Sequence, residues 1–342
     1  MSIQNKSRTT DSPLASKARS AACSLKSFFR TQAHLQLMVA LESGEEPTLV
    51  GGQAVLEGVM MRAPHSYAIT VRKSNGEYAT DQEAIPRMSE KYPIFKYPIL
   101  RGLGTLGQAM QLGFKALTFS TNVMMEELDP EAKEKPAPAW LGILQAILPV
   151  AFFIFMYKFV PLFLAERLAT SRLGINLWDG VIRLCIFLLF MFAISRIKDF
   201  HRMFEYHGAE HKVVFNFESG KAVNIKNAQS FTTFHPRCGT SFLMVLMVVS
   251  MATYAFLPID NFWLKFVARI ALLPFIIGAS YELIRFAARR QGSLLGLITA
   301  PGLWLQRITT QPPDDSEVEV AIRSLNDAME LEAKQGGELV IA

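Results

Sequence analysis

A carboxylate lying between two imidazoles one helical turn apart is the most chemically suggestive arrangement in the chain. It occurs in Glu205-Tyr206-His207-Gly208-Ala209-Glu210-His211-Lys212. On a helix, His207 and His211 share a face at a separation suited to one metal ion, and Glu210 sits beside them to serve a bound water. This is the H-x-x-E-H order of the inverted zinc-protease motif. Five residues recur by chance, so the weight comes from what lies near. Downstream, His235-Pro236-Arg237-Cys238-Gly239 adds an imidazole and a thiol, both ligand types for a zinc-like ion. Glu282 is a carboxylate expected at the same membrane face, as a further ligand or as a partner that orients one. His207, His211, His235, Cys238 and Glu282 are therefore the candidate ligands of a divalent metal, zinc foremost, and Glu210 is the candidate catalytic base.

Each of these residues also has a plain structural reading. Histidines at an interface cap helices, Cys238 suits a small buried site, and Glu282 can pair with Arg285 at i,i+3. Cys238 as a nucleophile with His235 as its base lacks an oxyanion donor and a third orienting group. A second constellation is Gly51-Gly52-Gln53-Ala54-Val55-Leu56-Glu57-Gly58-Val59-Met60-Met61-Arg62. It has neither the Gly-Lys-Ser/Thr ending of a phosphate loop nor dinucleotide-fold spacing. Tight turns between short strands account for it better, with Glu57 and Arg62 as lining residues.

The elements that must hold these residues follow from where the apolar residues fall. Half of the 342 residues are apolar, and the polar ones are gathered in blocks. A bilayer core of ~30 Å takes roughly 20 mostly apolar residues per helix. Four stretches suggest spans: 140–164, 173–195, 239–257 and 262–281, the second carrying Asp179 and Arg183 at i,i+4 spacing. A fifth, 292–306, is short and interrupted by Pro301 and Gly302, which suits an interfacial or re-entrant helix.

Lys198, Arg202, Lys212, Lys221, Lys226 and Arg237 lie between the second and third spans, and Arg285, Arg289 and Arg290 follow the fourth. By the positive-inside rule both termini and the histidine-bearing loop 198–241 face the cytoplasm. The net charge of +5 is thus placed by topology, no nucleic-acid motif accompanies it, and no nucleic-acid partner is expected. Three cysteines, Cys23, Cys185 and Cys238, make no disulfide framework.

Outside the bundle, 1–47 reads as a basic disordered tail, with an organelle transit peptide as the alternative. Residues 48–98 form a small β-rich cytoplasmic unit, in which 67–71, Ser74-Asn75-Gly76 and Tyr78 make a hairpin. An amphipathic helix and linker occupy 99–138, with Leu103, Leu106, Met110, Phe114 and Leu117 at helical spacing. The bundle takes 139–306. A cytoplasmic helix and tail close the chain at 307–342, with Val318, Ala321, Ile322, Leu325 and Met329 on one face. The expected fold is an α-helical integral membrane protein of about four transmembrane helices with a small cytoplasmic α+β N-terminal unit.

Taken together, Gly51-Gly52-Gln53-Ala54-Val55 with Glu57-Gly58-Val59-Met60-Met61-Arg62, Arg101-Gly102, His207-Gly208-Ala209-Glu210-His211-Lys212 and His235-Pro236-Arg237-Cys238-Gly239-Thr240-Ser241-Phe242 resemble the YqhQ-like family of bacterial membrane proteins. The closing Thr309-Thr310, Pro313-Asp314-Asp315 and Glu319-Val320-Ala321 are similar to that family's end. The resemblance covers about 49–331. It implies a domain of unknown function described as a predicted metal-dependent enzyme, in the bacterial cytoplasmic (inner) membrane as a multi-pass protein. Two functions stand from the sequence: a metal-dependent hydrolase at the cytoplasmic membrane face, acting on a peptide or lipid-linked group, and a non-catalytic membrane scaffold or assembly factor. The lipid bilayer and further copies of the chain are the expected partners. Transport comes last, since spans with few polar residues offer no path through the bilayer.

Overall fold

A computed structural model describes residues 50–128, 147–148, 150–235, 238–289 and 296–334. The basic tail expected at 1–47 lies outside these, as do Pro236, Arg237, much of the first expected span and most of the linker before it.

The described chain is mostly helical, with one four-stranded antiparallel sheet near its N-terminal end. Strands β1 (Gly51–Val55), β2 (Gly58–Arg62), β3 (Ser66–Arg72) and β4 (Tyr78–Ala84) form a meander in sequence order. The β3–β4 turn falls at Ser74-Asn75-Gly76, and the register pairs Gln53 with Met60 and Ile69 with Asp81.

Alternate side chains of a strand point to opposite faces, and here both faces are covered. Val59, Met61 and Ala68 pack against Tyr206, Ala209 and Val213 of α4 (Lys198–Glu218) and against Val318, Ala321 and Leu325 of α10 (Asp315–Lys334). Val55, Met60, Tyr67, Ile69 and Val71 pack on Leu112, Ala116 and Val123 of α1 (Leu100–Leu128). A β2 buried on both sides therefore reads as an unbroken apolar run. Each Val, Leu, Ile or Met side chain in these two layers contributes about 1.5–3 kcal/mol on full burial. The opposite side of α1 leaves Met110, Phe114 and Leu117 exposed.

Besides two four-residue helical turns, Met88–Lys91 and Pro93–Lys96, the other helices are α2 (Val160–Leu168), which follows a π-helical turn over Phe155–Phe159, then α3 (Arg172–Ile194), α5 (Ile225–Gln229), α6 (Gly239–Ala255), α7 (Phe262–Ala271), α8 (Leu273–Arg289) and α9 (Gly296–Thr309).

The four expected membrane helices are corrected by these bounds. Among the described residues one helix, α3, is long and apolar enough to cross a bilayer, and only 17% of its apolar window is buried. The stretch expected at 239–257 is the 17-residue α6, about 26 Å long, short of a ~30 Å core. The stretch expected at 262–281 is two helices bent by 47°. Pro274 gives the reason: it has no N–H to continue the ladder from α7, so the helix breaks just before it. The first expected span is described only from residue 147, and its described part is interrupted by the π-helical turn. The stretch at 292–306 falls on α9, only 14 residues with Pro301 inside.

Candidate metal centre

The central part of α4 is buried from Gly208 to Val214, because the sheet lies on one side of it and the chain leaving α9 crosses the other. That crossing sets the position of His207. Gly208 faces the carbonyl oxygen of Gln311 so closely that a Cβ at 208 would come within 2.0 Å of it, and Gln311 N–H donates to Phe204 O at 2.9 Å. The segment so held brings Thr309 O to 2.7 Å from His207 Nδ1. His211 Nδ1 is hydrogen-bonded in the same way to Thr233 O. Both imidazoles are thus set with Nδ1–H donating to a main-chain carbonyl, which leaves the Nε2 lone pair free to bind a ligand.

Those lone pairs converge on sulfur. His207 Nε2 lies 3.3 Å from Cys238 Sγ, and ligand atoms of His207, His211 and Cys238 lie within 4.8 Å of one another. A nitrogen and a sulfur on one tetrahedral zinc are about 3.5 Å apart, given bond lengths near 2.05 and 2.3 Å. The donor set and spacing therefore fit a zinc-like ion. Cys238 is the N-cap of α6, where the positive end of the helix dipole meets the sulfur, and Thr240 Oγ1 donates to it at 3.3 Å.

Glu210 sits at the edge of the group, 6% exposed, with Oε2 3.4 Å from His211 Nε2. Its carboxylate accepts the Gly52 N–H, yet burial outweighs this and the nearby imidazoles and raises its pKa above the ordinary carboxylate value. Burial lowers the pKa of His211, against a hydrogen bond from Cys238, and lowers that of His235. Imidazoles held neutral in this way keep the lone pair a metal needs. Gly52 also lies close to Glu210: a Cβ at 52 would meet Glu210 Cγ at 2.6 Å. Gly52, and not Gly51, therefore lets the sheet edge approach the carboxylate.

His235 borders the group, its ring 5.6 Å from that of His211, whereas Glu282 is engaged elsewhere. The His235 ring packs 4.4 Å from Phe215, and its Nε2 lies 3.6 Å from Glu218 Oε2. Its backbone is clamped by the buried Gln306 side chain, whose Oε1 accepts from His235 N at 2.7 Å while Nε2 donates to His235 O at 2.8 Å. That carbonyl also accepts from Cys238 N at 3.3 Å, so His235 sets the loop that carries the thiol. Glu282 forms a two-pronged ion pair with Arg101, Nε to Oε1 at 2.6 Å, and also accepts the Ile99 N–H at 3.2 Å.

Glu57 and Arg62 line no part of the histidine group. Glu57 holds Arg202 and accepts from Tyr206 OH at 3.3 Å, and Arg62 donates to Gln108 at 2.5 Å. Sequence reasoning missed the carbonyls of Thr233 and Thr309 and the Gln306 clamp. Only the Thr309-Thr310 block, noted among the family-like segments, pointed toward one of them.

Residues 97–331 match a protein family described as "Protein of unknown function (DUF1385)". The chain is 36% identical over 306 residues to "Uncharacterized protein YqhQ" of Bacillus subtilis (strain 168), covering 84% of this chain and 94% of that one. No solved structure matches.

Proposed function

The chain belongs to the DUF1385 family, the YqhQ-like proteins of unknown function, and we propose that this member is a membrane-associated, metal-dependent hydrolase whose centre is His207, His211 and Cys238. The observation that carries the reading is the paired orientation of the imidazoles. Each gives its Nδ1 to a main-chain carbonyl and turns its Nε2 toward Cys238. Two histidines fixed independently in that way are costly to arrange for packing alone and are the usual condition of metal-bound histidine.

A zinc-like dication held there would act as a Lewis acid and lower the pKa of a water. Three protein ligands leave a tetrahedral site one open position, the pattern of catalytic rather than structural zinc. Glu210 Oε2 lies 3.4 Å from His211 Nε2, and this carboxylate would take a proton from a water and return it to a leaving group. The Gly52 N–H holds the carboxylate against α4, so its approach to His211 is fixed by the sheet.

Membrane association is supported by α3, whose Leu173, Leu177, Leu189 and Phe190 are more than half exposed. An apolar helix of a soluble core would bury them. The test of function is hydrolysis of ester, amide and phosphoester probes by purified protein loaded with zinc. Glu210→Gln should abolish turnover and leave metal content unchanged. Turnover unaffected by Glu210→Gln would remove the catalytic part of the reading.

A further inference from the structure

Helix α1 is uneven in a way that its packing on the sheet does not explain. Between Arg101 and Glu126 its one charged residue is Lys115. That lysine leans back over the sheet, where it donates to Tyr67 OH and Glu83 and lies 3.6 Å from Asp81. The outer side of the helix is left with Met110, Phe114, Leu117 and Met125, spaced i, i+4, i+7 and i+15 and 42–65% exposed. They make one stripe roughly 22 Å long. A helix that faces water carries charged residues opposite its packed face, and a contiguous exposed apolar strip marks a contact surface instead.

The chain entering α1 adds an edge of different composition. Tyr92, Ile94 and Tyr97 are 47%, 56% and 66% exposed, and the exposed Lys91 and Lys96 lie beside them in the two short helical turns. Lys91 Nζ sits 5.5 Å from the centre of the Tyr92 ring. Tyrosine with lysine is the composition of a bilayer interface, where the ring lies at headgroup depth and the ammonium reaches the phosphates.

A costly joint fixes where this surface points. Ile99, just before α1, has φ of 69°, an outlying conformation for a β-branched residue. Glu282 of α8 accepts its N–H at 3.2 Å and also holds Arg101. Two glycines let the helices close on each other: a Cβ at 102 would come within 2.7 Å of Tyr281 Cβ, and one at 278 within 2.3 Å of Ile99 Cγ2. Backbone strain persists only where its surroundings over-determine it. Here they tie the start of α1 to α8, an apolar helix whose Phe275 and Phe286 are 48% and 45% exposed.

We propose that the outer side of α1, with residues 92–97 ahead of it, lies in the surface of a phospholipid bilayer. The helix runs along the headgroup plane, Met110, Phe114 and Leu117 enter the acyl boundary, and Lys91 and Lys96 meet headgroup phosphates. The tyrosine and lysine edge and the tie to α8 favour lipid over a second protein. The inference rests on the membrane association read from α3 and adds a shallow contact to it. That contact holds the sheet, and with it the Gly52 edge of the histidine group, against the lipid.

The test places a photoreactive benzophenone side chain at position 114 of the full chain, reconstituted in nanodiscs of phosphatidylcholine and phosphatidylglycerol, and reads the mass of what it joins on illumination. Position 189 on α3, 69% exposed, reports membrane association, and position 77, exposed before β4, reports water. Lipid adducts at 114 and 189 with none at 77 are expected. Lipid adducts at 189 with none at 114 overturn this inference and leave membrane association standing, whereas none at either position overturns both. A cross-link from 114 to a second copy, or to another part of the same chain, overturns it as well.

Phe114→Glu with Leu117→Glu changes exposed side chains, so the variant should fold as the wild type does. Lipid adducts from a benzophenone at position 97 should be lost in it, while those at 189 remain. Undiminished adducts at 97 would contradict the placement of α1.

Discussion

Gly208 lies beneath the carbonyl oxygen of Gln311, with no room for a Cβ between them. This contact lets the chain leaving α9 cross α4, and the crossing delivers Thr309 O to His207 Nδ1. Gly208→Ala should therefore push the 309–313 segment away, at about 1–3 kcal/mol, and weaken metal retention although no ligand has changed. Thermal unfolding together with elemental analysis checks both effects. Unchanged metal content in a destabilised variant would separate the crossing from the site.

A second relationship joins the sheet to α4. Glu57, in the β1–β2 turn, has φ of 52°, a left-handed conformation that favours glycine, and from there it pairs with Arg202 and Tyr206. Glu57→Ala loses the pairing and keeps the strain, whereas Glu57→Gly loses the pairing and relieves it. The glycine variant should be the more stable of the two by about 1 kcal/mol. Denaturant titration of the pair decides it, and an alanine variant at least as stable as the glycine one would contradict the account.

The start of α10 carries a pH dependence. Asp314 caps the helix, accepting the Glu317 N–H at 2.9 Å, and Glu317 reaches back to the Asp314 N–H at 3.0 Å, a capping box. Burial, and to a lesser degree the charges of Asp314 and Glu205, push the Glu317 pKa from 4.5 up to about 7. The folded state then holds a proton that the unfolded chain releases, so this group's contribution is full below pH 4.5, falls as pH rises to about 7 and is gone above that. Glu317→Gln still accepts the hydrogen bond and does not titrate. Between pH 5 and pH 8 the unfolding temperature of the wild type should fall by more than that of the variant. Equal falls would contradict the assignment.

Much of the histidine site is written locally. The spacing of His207 and His211 needs only a helix, and the thiol at 238 is marked by its position before an uncharged run. What positions them is not local. Thr233 and Thr309 act through main-chain carbonyls, which any residue supplies, and Gly52 matters for what it lacks. Glu282 looked like a ligand because it was expected at the same membrane face, but the Arg101 that claims it lies 181 residues away. The membrane helices were over-counted for a similar reason. Apolar content does not register the short length of α6 or the break before Pro274, whereas the hairpin at Ser74-Asn75-Gly76 and the final helix are set by turn and capping residues within a few positions.

The Arg101–Glu282 pair gives a control. Glu282→Gln should lower thermal stability, since it weakens a two-pronged ion pair and the bond to Ile99 N, and should leave metal content as in the wild type. Loss of metal in this variant would restore Glu282 to the site.

The most direct measurement is the metal content of purified protein, set beside that of His207→Ala, His211→Ala and Cys238→Ser with folding confirmed by circular dichroism. About one equivalent of a zinc-like ion in the wild type, reduced on the order of tenfold or more in each variant, is the expected result. A folded wild-type protein that takes up no divalent metal on reconstitution, or folded variants that retain the full equivalent, would contradict it.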